Sequence, residues 1–368
     1  MFSSAKEEKI TAERIYFIHY LRAIAVLMVL WGHWVGQYLH ATGQSWILND
    51  WITRFIIEPL GIIQYFGFFG VVLFFLISGF IITHTGLKEG KSEFVIKRLL
   101  RIYPMLIFSI FVCLLWKENL NLPNSDPWHI LRSMFLLNYF IPGQTPINGV
   151  AWSLVVELQF YFSFIMLSKW IAESPCKGIL LQSLLVLWTL VTCRYLGPYY
   201  FLFCVSYSYL PFLLVGQIFY FYSWKRCLSI SQCTSLLLIQ YGLILFGTNK
   251  IHPDFMTINN SYLLSFFYAT ALFLVFLHWR EHLAENKLVS LIANSSYSIY
   301  LLHGNIGMVA LILLDNFGAT YVQALGLAVI FTAIVCYLTW RYIEQPSQRL
   351  ARQLVTRWNL TTPKLVEA

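Results

Sequence analysis

The sequence predicts an all-α, polytopic transmembrane helix bundle of about ten spans, with both termini in the cytoplasm. Three observations carry that prediction. Hydrophobic residues make up 58% of the 368-residue chain and charged residues 11%, less than half of the roughly 25% found in a soluble domain. So few charges cannot cover an aqueous surface, and lipid becomes the main solvent. Apolar stretches of about 20 residues, the length that crosses a bilayer as a helix, recur along the chain. Lys and Arg then fall on alternate loops, as the positive-inside bias requires.

The spans are expected at 15–38, 62–84, 103–116, 151–168, 179–196, 200–222, 233–248, 261–279, 291–313 and 322–342. With the N-terminus inside, the inner segments hold 19 of the 25 Lys and Arg, the outer ones 5, and Arg22 lies within a span. One span more or fewer would flip the later loops and spoil that split. The net charge of +8 therefore belongs to short loops rather than to a nucleic-acid surface. Cys113, Cys176, Cys193, Cys204, Cys227, Cys233 and Cys336 show no CxxC spacing and read as small hydrophobes. The first apolar stretch is too long for a signal-peptide core and follows a mixed-charge head, MFSSAKEEKITAER. The expected organisation is a cytoplasmic segment 1–14, a membrane domain 15–346 and a basic cytoplasmic tail 347–368.

The first span contains RAIAVLMVLWGH, residues 22–33. A charged side chain in lipid costs about 2.5–3.5 kcal/mol on insertion scales. At about 100° per residue, Arg22 and His33 share a helix face, about 16 Å apart along the axis. Arg22 falls in the inner half and His33 in the outer half, with His19 one turn before Arg22. This is either a bundle-facing polar stripe or a snorkelling Arg plus an interhelical His hydrogen bond. In the second span, FFGVVLFFLISGFIITH, the small residues Gly67, Gly70, Ser78 and Gly79 permit close approach of a helix or a thin ligand.

FVIKRLLRIYP, residues 94–104, places Arg98 and Arg101 on one face at i and i+3, beside Lys97. They read as lipid-headgroup anchors or as a phosphate clamp, with Pro104 at the start of the following span. The connections 39–61 and 117–150 are the longest on the outside, and NLPNSDPW and NYFIPGQTPINGV carry turn chemistry. AWSLVVELQFYF re-enters the membrane, with Glu157 about 8 Å along the helix from Trp152. An intramembrane acid is a functional candidate, and Glu157 is the expected partner that orients the His33 ring; the alternative is a structural hydrogen bond or ion pair. SSYSIYLLHGN carries Tyr297, Tyr300 and His303, with 296, 300 and 303 along one face. At RYIEQP, Glu344 is expected to pair locally with Arg341 before Pro346. No metal-ligand spacing links His19, His33, His40 and His303, and no P-loop, GxSxG or dinucleotide fingerprint occurs.

Taken in order, these motifs resemble the acyltransferase-3 family of bacterial integral membrane acyltransferases. The matches are the R-x10-H of Arg22 and His33, FFGVVLFFLISGF, the RxxR of Arg98 and Arg101, WSLxxE from Trp152 to Glu157, SYSIYLLH, and the ExP of Glu344 and Pro346. The resemblance implies transfer of an acyl group, commonly acetyl, from a cytoplasmic acyl-CoA to a hydroxyl. Acceptors in the family are mostly glycans such as lipopolysaccharide O-antigen or exopolysaccharide, with peptidoglycan and small molecules as alternatives. It implies a bacterial inner-membrane location, acetyl-CoA as a co-substrate and no tightly bound cofactor or metal. Beyond the two substrates the expected partners are membrane lipids, with no nucleic acid. Some members carry a fused SGNH hydrolase-like domain, which is not expected here.

By this resemblance His33 and Arg22 are the family's essential pair and Arg98 and Arg101 its RxxR. Together with the residue reading this makes His33 the expected catalytic base, Arg22, Arg98 and Arg101 the donor-binding residues and, from the residues alone, Glu157 the group that tunes His33. Trp152, Ser78, Tyr297, Tyr300 and His303 are expected to line the pore or the acceptor site. An acylated His33 is a competing mechanism. A transporter or flippase using the polar stripe, and a non-catalytic scaffold, are the readings from other classes; no pseudo-symmetric halves favour the former.

Overall fold

The computed structural model describes residues 16–120, 125–251, 259–358 and 360. The expected N-terminal segment 1–14, part of the turn-rich loop (121–124) and the last residues of the tail lie outside the described residues. The helices in chain order are α1 Tyr16–Thr42, α2 Ile47–Ile52, α3 Ile63–Gly86, α4 Lys91–Leu115, α5 Pro127–Met134, α6 Gly149–Met166, α7 Ser168–Glu173, α8 Pro175–Thr192, α9 Pro198–Trp224, α10 Ile230–Ile251, α11 Asn259–His278, α12 Lys287–Asn316 and α13 Tyr321–Arg357. Among the described residues no strand occurs, and nine helices are long and apolar enough to cross a membrane. A shorter apolar stretch, Tyr262–His278 in α11, stands where the eighth span was expected.

α3 is the central post. Its residues are buried on every side, from Phe68 and Val72 to Leu76 and Phe80. It packs against α1, α9 and α11. The α3–α9 contact is backbone on backbone: a Cβ at Gly79 would overlap the Leu213 carbonyl, and one at Gly216 the Leu76 carbonyl. Without a hydrophobic drive between helices in lipid, such small-residue contacts are what let dispersion hold the bundle. Phe162, Trp188, Ile330 and Phe331 project outward, as expected where lipid is the solvent.

Two spans differ from expectation. α4 begins at Lys91, so Arg98, Arg101 and Pro104 all lie inside one helix rather than before a span starting at 103. Glu93 in the first turn favours that earlier start. α13 runs through Pro346 to Arg357, and buried Ala351 and Val355 fasten this last arm against α4.

The helices that carry the polar motifs are not regular. α1 widens into a π-helical turn at Trp31–Gln37, α12 at His303–Gly307 and α13 at Trp340–Glu344. Such turns concentrate at functional sites. The first two interlock: the Trp34 indole donates to the His303 carbonyl at 3.0 Å, and its ring lies where a Cβ at Gly307 would be.

Candidate active site

Arg22 crosses from α1 to α12, where its Nε and Nη2 both donate to the buried Ser296 hydroxyl, at 3.2 and 2.9 Å. Arg22 and Arg101 also stand where two cavities meet. One, of about 290 Å³, has apolar walls of α3 and α6 side chains and polar points at Ser78, Glu157 and Tyr300. The other, of about 340 Å³, is lined by Arg349 and Arg352 of the α13 arm, with Glu344 and Gln348. A guanidinium-rich chamber and a smaller, mostly apolar one therefore share two arginines in their walls. Sequence reasoning missed Arg349 and Arg352, although their i, i+3 spacing repeats that of Arg98 and Arg101.

The RxxR arginines part company. Three helical residues turn through about 300°, leaving about 60° between the two side chains. Arg98 is buried; its Nη2 donates to Thr85 Oγ1 at 2.6 Å and meets Glu89 at 3.2 Å, and its guanidinium lies over the Phe94 ring. Lys97 pairs with the same Glu89 and with Glu93, at 3.0 and 2.6 Å. Arg101 instead faces both cavities, near enough to Glu157 and Glu344 to feel their charge. The expected two-pronged clamp is thus not formed: Arg98 secures the α3–α4 turn, and Arg101 is the member that reaches the cavities.

Glu157 does not orient His33. It accepts from the Tyr161 hydroxyl at 2.5 Å and from Ser78 Oγ at 3.4 Å, and it faces the cavity it shares with Arg101. The His33 ring meets His303 instead, with His33 Nδ1 2.9 Å from His303 Nε2. The hydrogen-bond chain then defines the tautomers. A carbonyl only accepts, so His303 Nδ1, 2.7 Å from the Tyr300 carbonyl, carries its proton. In the neutral ring His303 Nε2 is then an acceptor. His33 Nδ1 must donate to it, and shares that proton with the Val29 carbonyl at 3.2 Å. The lone pair of His33 is left on Nε2, on a half-buried ring.

The remaining expected lining residues divide. Ser78, Tyr297 and Tyr300 line the narrower cavity, although the Tyr297 hydroxyl is tied to the Ile102 carbonyl at 2.8 Å. Tyr300 is held by Ser153, at 2.8 Å, and by the Val150 carbonyl, at 3.0 Å. Its ring lines the cavity and packs on both Phe74 and His303, so it stands between the cavity and the histidine pair. Trp152 lines neither cavity and packs against Phe75 and Tyr209. His303 is fully buried as the partner of His33. Glu344 accepts from Ser298 at 2.8 Å and from Gln348 at 3.2 Å, while Arg341 donates to Gln345, so the local Glu344–Arg341 pair is also corrected.

A polytopic membrane bundle in which a guanidinium-lined chamber and a polar–apolar cavity share two arginines, with a tautomer-defined histidine pair behind Tyr300, has the layout of a membrane-embedded transferase. The chain belongs to the acyltransferase-3 family: the family model described as an acyltransferase domain matches residues 15–341. It is similar to Nodulation protein 10 of Rhizobium leguminosarum bv. viciae, 27% identical over 321 residues that cover 78% of this chain and 84% of that one. It is also similar to O-acetyltransferase OatA of Staphylococcus aureus (strain NCTC 8325 / PS 47), 24% identical over 328 residues. That match covers 77% of this chain and 53% of OatA, about half of the relative's length. No solved structure matches.

Proposed function

We propose that this membrane acyltransferase moves an acetyl or other short acyl group from cytoplasmic acyl-CoA to a hydroxyl of a cell-surface glycan. Lipopolysaccharide O-antigen in the inner membrane of a bacterium is the acceptor we favour. The observation that carries the reading is the sharing of Arg22 and Arg101 between two cavities. Arg349 and Arg352, with these two, offer guanidinium forks to the phosphates of a CoA. The narrower cavity, walled by Phe74, Phe75 and Leu154, suits an uncharged pantetheine arm ending in a thioester. The name of the relative O-acetyltransferase OatA supports acetyl as the group moved and oxygen as its destination.

In this mechanism His33 Nε2 takes the proton from the acceptor hydroxyl. The oxygen attacks the thioester carbonyl, the C–O bond forms, the C–S bond breaks, and the imidazolium returns its proton to the CoA sulfur. A positioned base of this kind contributes about a hundred- to ten-thousand-fold. Tyr300, as the partition, must give way for thioester and imidazole to meet. Glu157 serves the donor side, holding Arg101 through charge and Ser78 and Tyr161 through hydrogen bonds. The test is purified protein in nanodiscs with radiolabelled acetyl-CoA and glycan extracted from the source cells. Label should enter the glycan with wild type and not with His33→Ala; full transfer by His33→Ala would sink the mechanism.

A further inference from the structure

In a regular α-helix each N–H donates to the carbonyl four residues before it, so the Tyr38 N–H would close onto Trp34. In the widened turn of α1 that N–H goes to the His33 and Val35 carbonyls instead, and the Trp34 carbonyl is passed over. Trp34 is buried, and a buried carbonyl without a donor is costly. The Tyr321 hydroxyl of α13 donates to it at 3.0 Å.

Tyr321 is aimed by the start of its own helix. It is the first residue of α13, where Thr320 and Gln323 form a capping box that fixes the entry of the chain. Its buried ring stacks on Tyr38, with centroids 6.0 Å apart, and meets Trp46. The Tyr38 hydroxyl donates elsewhere, to Asp315 at 3.0 Å. Tyr321 lines neither cavity.

The wide turn has a competitor. A regular turn would return the Trp34 carbonyl to the Tyr38 N–H and rotate the flanks of α1 against each other by about 100°. His33 and Trp34 both end on His303, at 2.9 Å on its Nε2 and at 3.0 Å on its carbonyl. That rotation opposes these bonds. A donor is worth most to the Trp34 carbonyl while that carbonyl is passed over, so the Tyr321 hydroxyl favours the wide turn. Such a differential is what selects between two conformations.

We infer that Tyr321 is a positioning residue whose hydroxyl holds the π-helical turn of α1 open and so aims the His33 imidazole. The catalytic consequence rests on the transferase reading above; the hold on the turn does not. Trp34–Val35 is the only Trp–Val pair in the sequence. Labelling Trp with ¹³C at the carbonyl and Val with ¹⁵N therefore isolates the Trp34 carbonyl in the NMR spectrum of the full chain in nanodiscs. ¹⁵N-labelled histidine reports the ring nitrogens, those of His33 being identified by their loss in His33→Ala.

Tyr321→Phe keeps the ring and removes the donor. It should move the Trp34 carbonyl and His33 resonances and lower kcat by about two- to tenfold, with the KM for acetyl-CoA unchanged. Tyr38→Phe should leave the His33 resonances in place. Two substitutions of matched volume at position 321 separate donor from packing and carry the test if Tyr321→Phe folds poorly. p-Aminophenylalanine, which donates, should restore the wild-type resonances, and p-methylphenylalanine should not; folding by the former alone is also support. The proposal is overturned if Tyr321→Phe leaves both resonances where wild type has them, if the matched pair behaves alike, or if Tyr38→Phe moves His33 as far. Moved resonances with no transfer by wild type sink the transferase reading and leave the hold on the turn. A fall in kcat with unmoved resonances does the reverse.

Discussion

α1 and α12 meet twice, and the two meetings differ in kind. At the Arg22 end both helices are regular, and a long charged side chain reaches across to the Ser296 hydroxyl. At the His33 end both helices widen into π-helical turns, and two short rings bond directly. The first junction leaves its cation on the border of two cavities. The second is locked by Trp34, by the Tyr300 carbonyl and by the Val29 carbonyl. In the proposed mechanism one helix pair thus supplies both an anion site and a tautomer-defined base. A phosphate binder gains from mobility and from the fork of a guanidinium; a general base gains from having its lone pair held in one place.

Breaking the rigid junction should have the larger effect. His33→Ala should lower acyl transfer by about a hundred- to ten-thousand-fold, measured as label moved from acetyl-CoA to acceptor, with the protein still inserted in the membrane. His303→Ala should lower kcat by about tenfold while leaving the KM for acetyl-CoA unchanged, because it removes the nearer of the two acceptors that hold the His33 proton on Nδ1, leaving only the Val29 carbonyl. His303→Gln, whose amide oxygen can accept that proton, should recover part of the rate. A role in packing alone would predict equal losses for the two.

The Arg22 junction should report on binding. Arg101→Ala should raise the KM for acetyl-CoA by about ten- to a hundredfold, the worth of one charge-assisted hydrogen bond. Arg98→Ala should instead act on stability, by about 1.5–3 kcal/mol, since it removes charge-assisted hydrogen bonds to Thr85 and Glu89 and leaves Glu89 to Lys97 alone. Its signature is a lower Tm with a KM close to that of wild type in the folded fraction. Ser296→Ala should have the smallest effect, within about threefold on the KM for acetyl-CoA, if Arg22 is as free to change partners as its two cavities suggest. A Ser296→Ala loss as large as that of Arg101→Ala would show the Arg22 junction to be as rigid as the histidine one.

Much of the layout was legible from the chain alone. Composition dictates lipid as solvent, and apolar run lengths place the spans to within a few residues, α4 and the α13 arm excepted. Helical period put Arg22 and His33 on one side of α1, and both do turn inward to meet α12. What escaped were partners. Glu157 and His33 fall in the same half of the membrane by residue count, yet Glu157 bonds Ser78 while Val29, one turn before His33, packs at Gly70, about 12 Å away along α3, so the two stand at different depths. The π-helical turns made this worse, since an added residue per turn rotates every side chain beyond it. Arg98 and Arg101 show the same limit at short range: about 60° of helix separates a residue held by Glu89 from one that faces a cavity.

The sequence by itself determined an all-helical membrane bundle, the order of its motifs and the family they spell, because those depend on residue types and on spacing along single helices. Only the tertiary structure decided that His33 answers to His303 and that Arg101 rather than Arg98 reaches the cavities. It also decided that Arg349 and Arg352 return to Arg22 from the far end of the chain. A buried polar group bonds whatever another helix brings to its depth and its azimuth. That depends on how helices cross, and in lipid crossings are set by close contacts such as Gly79 on Leu213 rather than by any pattern local to the polar residue.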